Sequence, residues 1–450
     1  MRLAGTANGE DSRKRLTQSE LDQIVQLHAR FLARKPGGRR ALLSFHDLSD
    51  LDLSNRDLTD VDLTGAKLQY ARLANTKLKL ATLFGADLRT AHLQGADLTK
   101  ADLRGARLRG AELNKAQLVN ADLREAAIAH FDRTHALLAQ GGGESRTDFT
   151  SVEARGADMS GARMGSALVL RADFTDANLR GVDFSGADLR SVNMTGAVLE
   201  DANLSNAKLC EATLTGAVLT GATLQDTDFQ GADVTGALFD PGIVKTAMLQ
   251  TARRPEYPLK SPLEVAETVH MHSQWLDSNG KTGQRASLAH VDLTGHNFLC
   301  ANLAMAVMSG AILREGNFAG ACLAASDLTQ ADLRSANMVQ TDLRSITLHR
   351  AHLHGADLRG ANLSALRYGD RQEYDLPANL ERARFVGVNL MNADLRRARL
   401  AGADFSGSNL RDADLRGADL EDANFTGCDM RGTLFDEAKL KDARGLPRMN

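Results

Sequence analysis

The residues best suited to chemistry are three histidines, His349, His352 and His354, spaced H-x-x-H-x-H, with Asp332 twenty positions before His352. Zinc needs three or four converging nitrogen, sulfur or oxygen donors. All three histidines fall at outward positions of the repeat described below, so they are expected at the surface and no metal site is expected. His28 and His272 lie within apolar helical stripes that place no partner beside them, and each is expected to be hydrogen-bonded where a helix meets the rest of the fold. Cys210, Cys300, Cys322 and Cys428 form no CxxC and no disulfide framework. A reducing cytoplasm suits four such thiols. The tetrapeptide ADLR at 101–104, 121–124, 331–334 and 413–416 reads as solvated charge pairs, each of small energetic value. There is no P-loop, no nucleophile elbow and no HExxH, so no catalytic residue, no cofactor-binding residue and no enzymatic activity are expected.

The elements that carry these residues are set by one period. Over 81–128 a large apolar residue recurs every five positions, as at Leu83, Leu88, Leu93 and Leu98, with a small residue two positions earlier, as at Ala81, Ala86, Ala91 and Ala96. A helix face would recur at 3.6 and a half-buried strand at 2. A period of five fits neither, so the repeat itself must set the architecture. Small-x-large aims two side chains at one face, as alternate strand residues do. The next two residues must turn a corner, where Gly, Asn, Ser and Asp are favoured. Phe385, Phe405 and Phe425 stand twenty apart, as do Phe298 and Phe318. A coil of four five-residue sides would stack those rings on one another.

The pattern A-[DN]-L-x-x resembles the pentapeptide-repeat family. The resemblance implies an all-β solenoid, a right-handed quadrilateral β-helix with small and large residues inside. It says little about function, since members of that family have diverse roles.

Along the chain, residues 1–16 are polar and expected to be disordered. Thr17-Gln-Ser-Glu20 reads as a capping box, followed by an amphipathic stripe of Leu21, Val25, His28 and Leu32 that Pro36-Gly37-Gly38 ends. Ser261-Pro-Leu-Glu264 begins a second such helix, with Val265, Val269, His272 and Leu276, and Trp275 standing where Phe31 stood. The form H-x-x-[FW]-L…G-x-R-A-x-L occurs at both places and looks like a leader seen before bacterial pentapeptide repeats. We read an internal duplication: a first unit at 17–239 interrupted by a loop at 129–148, a linker at 240–260, and a second unit at 261–450 interrupted at 364–379. Each unit is expected to be a β-helix segment preceded by a capping α-helix, because an open coil end exposes unpaired backbone and apolar side chains. Polar residues at inward phase in the first coils, His46, Arg56 and His296, fit such covered ends. The seven prolines all fall outside the repeat runs, as backbone pairing demands.

The formal net charge is −3, which makes no case for nucleic-acid binding, and no stretch is long and apolar enough to span a membrane. The leading functional expectation is a non-enzymatic scaffold for protein–protein interaction with an unknown protein partner. A second is DNA mimicry toward a type II topoisomerase such as gyrase, implied by a likeness to quinolone-resistance pentapeptide proteins. Against it, the most acidic run, 149–239, carries 12 acids and 6 bases, while DNA of that length, roughly 23 Å, would carry about 13 charges. A third is a metal-binding or enzymatic accessory protein. Partner-binding candidates come from the interruptions, whose side chains are distinctive: Tyr368, Tyr374, Arg367 and Arg371 in the second, Phe131 and His135 in the first. Tyr and Arg are favoured binding anchors. His28, Phe31, His272 and Trp275 are assigned to the capping helices.

Overall fold

A pentad such as 61–65 shows how the period becomes structure. Val61 and Leu63 are wholly buried. Asp62 between them pairs in parallel with Leu42 before it and Thr82 after it. The chain then turns, and the Ala66 N–H bonds back to the Leu63 carbonyl at 3.0 Å. The third residue of that turn, Gly65, has φ 58°. Such a turn needs a positive φ at this place, which Gly meets without strain and Asn or Asp at modest cost. The same angle recurs every five residues, even where the residue is Tyr70, Leu80 or Lys100. Pairing with the coils on either side therefore overrides local preference.

In the computed structural model, residues 14–125, 130–131, 137–138, 146–240, 243, 249–253, 258, 260–368 and 374–446 are described. Parallel bridges link residues twenty apart, as in Asp47↔Lys67↔Asp87↔Arg107. Four five-residue sides thus make one coil, and each coil pairs with the neighbouring coils of its own unit. Phe298 and Phe318 stack with centroids 4.8 Å apart, Phe385 and Phe405 at 4.9 Å, and Phe405 and Phe425 at 5.1 Å. Those distances match the spacing between neighbouring strands, so the twenty-residue spacing of phenylalanines correctly signals the four-sided coil.

Among the described residues two helices, α1 (Gln18–Leu32) and α2 (Pro262–Asp277), each begin with a complete capping box, from Thr17 and Glu20 and from Ser261 and Glu264. Among the described residues two short hairpins interrupt the coils. β1 (His130–Phe131) pairs antiparallel with β2 (Leu137–Leu138), and β3 (Leu366–Tyr368) with β4 (Tyr374–Leu376). The chain divides into two compact units, Met1–Arg254 and Pro255–Asn450. The first has a core running from Leu16 to Leu249, the second from Val265 to Phe425. Among the described residues, no helix is long and apolar enough to cross a membrane. Of residues 1–16, expected to be disordered, 1–13 lie outside the described residues, whereas Arg15 pairs with Asp47 of the first coil and Leu16 is buried in the first core.

The structure revises two boundaries and the placement of one histidine. Asp148, expected within the first interruption at 129–148, already belongs to the wall. The place opposite Arg107 that residue 127 would fill is taken by Asp148, and the Leu108 N–H bonds to the Asp148 carbonyl at 2.7 Å. Ala126-Ala-Ile128 keeps the repeat's composition, yet its slot in the wall is occupied by Asp148-Phe149. Within 240–260, expected as a linker, Arg253 pairs with Asp233 and Leu249 is buried in the first core. That part completes a coil of the first unit. His352 is buried, not at the surface. It sits in the wall between Asp332 and Arg384, its bridge partners in the neighbouring coils.

Candidate functional site

The Asp residues between small and large positions have a local task that their abundance had obscured. The Thr64 N–H donates to Asp62 Oδ1 at 3.0 Å, and the Thr175 N–H to Asp173 Oδ1 at 2.9 Å. The carboxylate satisfies a turn N–H, as Asx residues do. Where Arg follows two positions later, it forks onto the same carboxylate: Arg104 Nε lies 2.9 Å from Asp102 Oδ1 and its NH2 2.7 Å from Oδ2. ADLR is therefore a turn clasp as well as a charge pair.

The leader motif is explained residue by residue. The Ala41 N–H donates to His28 Nδ1 at 3.1 Å, so Nε2 carries the proton and donates to the Thr59 carbonyl at 3.0 Å. In the second unit the Ala286 N–H donates to His272 Nδ1 at 3.1 Å, and His272 Nε2 to the Ala304 carbonyl at 3.0 Å. Both imidazoles are fully buried. Burial holds each below the usual histidine range. Phe31 stacks on His28 at 5.9 Å and Trp275 on His272 at 5.7 Å. Arg40 and Arg285 donate through Nε to carbonyls of the next coil, Asp60 at 2.6 Å and Met305 at 2.5 Å. Gly38 and Gly283 let the chain return against the helix backbone, for an added Cβ would stand 2.4 Å from Phe31 N or 2.3 Å from Met271 O. At the first coil's end, Arg56 pairs with Asp22 of α1 at 3.0 Å, and Gln18 bonds to the Asp52 backbone.

Of the three spaced histidines, His352 is buried, His349 half-buried and His354 exposed. Burial depresses His352 to about 3. Among the described residues no three His, Cys, Asp or Glu side chains converge on one point that a metal could occupy. The four cysteines are unpaired. Burial pushes the thiols of Cys210 and Cys428 up, away from a reactive thiolate.

The second interruption is the most individual surface. Its hairpin leaves the coil after Ala365 and returns at Pro377. Ser345 clamps its root: Oγ accepts the Leu366 N–H at 3.0 Å and donates to the Leu376 carbonyl at 2.5 Å. The register sets Arg367 opposite Asp375 and Tyr368 opposite Tyr374. Arg367 Nε lies 3.2 Å from Asp375 Oδ1, and Arg397 of the coil joins the same carboxylate. The hairpin thus brings Tyr368, Tyr374 and Arg367 together on two paired strands. The tyrosine side chains and Arg371 lie outside the described residues. In the first interruption Phe131 is in β1, while its side chain and His135 lie outside them. Thr147 closes that root as Ser345 closes the other, accepting the Gly105 N–H at 3.1 Å and donating to the Arg124 carbonyl at 3.0 Å. Neither hydroxyl was singled out from sequence: Thr147 stands where the first interruption rejoins the repeat, while Ser345 lies twenty residues before Ala365, in the preceding coil.

A family model described as pentapeptide repeats matches in eight copies, at 47–85, 86–124, 171–206, 202–240, 284–330, 326–364, 378–412 and 413–444. No curated protein matches the chain. Among solved structures, HetL, a pentapeptide repeat protein involved in heterocyst differentiation regulation from the cyanobacterium Nostoc sp. strain PCC 7120, is 21% identical, covering 93% of this chain and 96% of its own, with a TM-score of 0.22. QnrB1, a plasmid-mediated fluoroquinolone resistance protein, is 16% identical over 45% of this chain and 92% of its own, with a TM-score of 0.28. Rfr23 from the cyanobacterium Cyanothece 51142 is 26% identical over 31% and 88%, with a TM-score of 0.21.

Proposed function

The chain belongs to the pentapeptide-repeat family, and from that premise we propose that it is a non-enzymatic cytoplasmic scaffold that binds another protein through the β3–β4 hairpin. The observation that carries this is the hairpin itself. Ser345 bonds both of its strands to the coil, and it sets two of the chain's four tyrosines opposite each other beside Arg367. The repeat faces, by contrast, are built from similar short side chains clasped to their own turns. In this reading α1 and α2 cap the open coil end of each unit, and the histidine clasps hold them there.

Replacing Tyr368 and Tyr374 by Ala, or 364–377 by a short Gly-Ser bridge, tests the proposal. Recovery of the native partner in affinity capture should fall while the melting temperature barely changes. Undiminished recovery removes the hairpin from the mechanism. DNA mimicry is less well supported. Much of the acidic surface is neutralised in place, as where Arg190 forks onto Asp188, and Lys208 interrupts the ladder Asp188↔Lys208↔Asp228. Added protein should therefore leave gyrase supercoiling unchanged.

A further inference from the structure

At the root of the second hairpin the wall of the coil carries a gap. Asp342, Asn362, Asp394 and Asp414 pair in succession. Two residues on from each stand Arg344, Ser364, Arg396 and Arg416, which therefore occupy one place in four successive coils. Three are arginines that fork onto the Asp beneath them. The fourth is a serine. Its short side chain leaves an opening of ≈ 400 Å³ lined by Arg344, Arg396, Arg397, Arg367, Asn362 and Ser364. Arg344 and Arg396 are two coils apart, about 9–10 Å by strand spacing. That is room for one anionic group between two guanidinium groups.

We propose that this opening takes a single carboxylate side chain, Asp or Glu, of the partner protein. The inference rests on the scaffold reading above and gives the partner's contact its chemistry. The arginine lining of the opening suits an anionic side chain. Arg344, Arg396 and Arg416 each have their own carboxylate, Asp342, Asp394 and Asp414. Arg367 and Arg397 share one, Asp375. Among the described residues these five cations face four anions, which favours an added anion. Arg344 and Arg396 fork through Nε and NH2, so the NH1 groups are not used in those forks. Ser364 donates to Asn362 Oδ1 at 2.6 Å, which leaves the Asn362 amide as the donor on the floor. Charge-assisted bonds from a planar guanidinium are the strong kind, and Arg is the side chain suited to a carboxylate.

The test is a titration of the full chain, with arginine side-chain N–H signals followed by NMR. The probes are a capped Gly-Glu-Gly peptide, its Gly-Gln-Gly counterpart and inorganic phosphate. Saturable shifts at Arg344 and Arg396 with the Glu peptide only are expected, weakened ~10-fold or more by Arg344→Gln or Arg396→Gln. Arg334→Gln, which removes an equivalent fork elsewhere, should leave binding unchanged. Ser364→Arg is the decisive variant. Arginine is already accepted at this place in three neighbouring coils, so the fold should persist. The substitution adds positive charge yet fills the opening. Abolished binding supports the site, whereas tighter or equal binding shows general attraction and overturns it. Phosphate binding more tightly than the Glu peptide overturns the carboxylate assignment. Intact capture of the native partner by the Ser364→Arg protein also overturns the proposal, and it leaves the hairpin reading to be judged by the tyrosine variants.

Discussion

At the residue scale, the two buried histidines make the sharpest claim. Each accepts a backbone N–H at Nδ1 and donates from Nε2. A second proton would oppose N–H to N–H, so only the neutral ring fits. For His28, burial lowers the pKa, the Thr59 carbonyl, Asp57 and Asp60 oppose that, and Arg40 reinforces it. For His272, burial lowers it, the Ala304 carbonyl opposes and Arg285 reinforces. The folded pKa therefore lies below the unfolded value of about 6.5. The neutral-ring contribution to stability is complete above that value and is lost as pH falls toward the folded pKa. Trp275, the chain's one tryptophan, stacks on His272 and reports it, because a protonated imidazole quenches indole emission. Emission should stay flat as pH falls through 6.5 and change only below it. Quenching with an ordinary histidine midpoint would show that His272 is not clasped. His349 and His352 are lowered too, so a fall in melting temperature with acid is assigned to the clasps only if His28→Gln with His272→Gln flattens it.

At the scale of the element, the capping boxes, the apolar stripes and the Pro36-Gly37-Gly38 stop after the first helix were legible in sequence, because each depends on neighbours a few residues apart. The duplicated leader was legible as a pattern but not as a mechanism. Its glycine and histidine act on groups that sequence leaves distant. Gly283 shows this. Its φ is 75°, and an added Cβ would meet Met271 O at 2.3 Å and Trp275 N at 2.6 Å. Both are helix backbone and cannot step aside. Gly280 has φ 81°, but its Cβ would meet only the Trp275 ring, at 3.3 Å. Gly280→Ala should cost about 1–2 kcal/mol, the left-handed penalty alone. Gly283→Ala should cost clearly more and free Trp275, seen as a red-shifted emission. Equal costs would mean that α2 is not held by this close return.

At the scale of the whole molecule, the fold was legible because one short rule is repeated. Large residues every five positions and phenylalanines every twenty specify wall, corner and coil together. What escaped were the exceptions to the rule. Ala126-Ala-Ile128 obeys the pattern in composition, yet its slot is filled by Asp148-Phe149, and only pairing with Arg107 and Leu108 decides between them. His352 looks outward in phase but is closed in by side chains from other coils. Ser364 is ordinary in sequence and becomes a gap only beside Arg344 and Arg396. The last prediction follows from the repeat's energetics. The backbone pairing of each coil is made with its neighbouring coils, not within itself, so each coil depends on contacts to its neighbours. A terminal coil lacks one neighbour, and in the proposed capping role α2 would supply the missing contacts in the second unit, where Val265 is buried and His272 bonds to the Ala286 N–H and the Ala304 carbonyl. A fragment of residues 255–450 should then fold alone, monomeric, with one cooperative melting transition. A fragment beginning at Leu288 keeps the coils that start there but loses α2. It should melt lower and self-associate through its uncovered end, as light scattering would show. If the two fragments are equally soluble and melt together, α2 does not cap the coil.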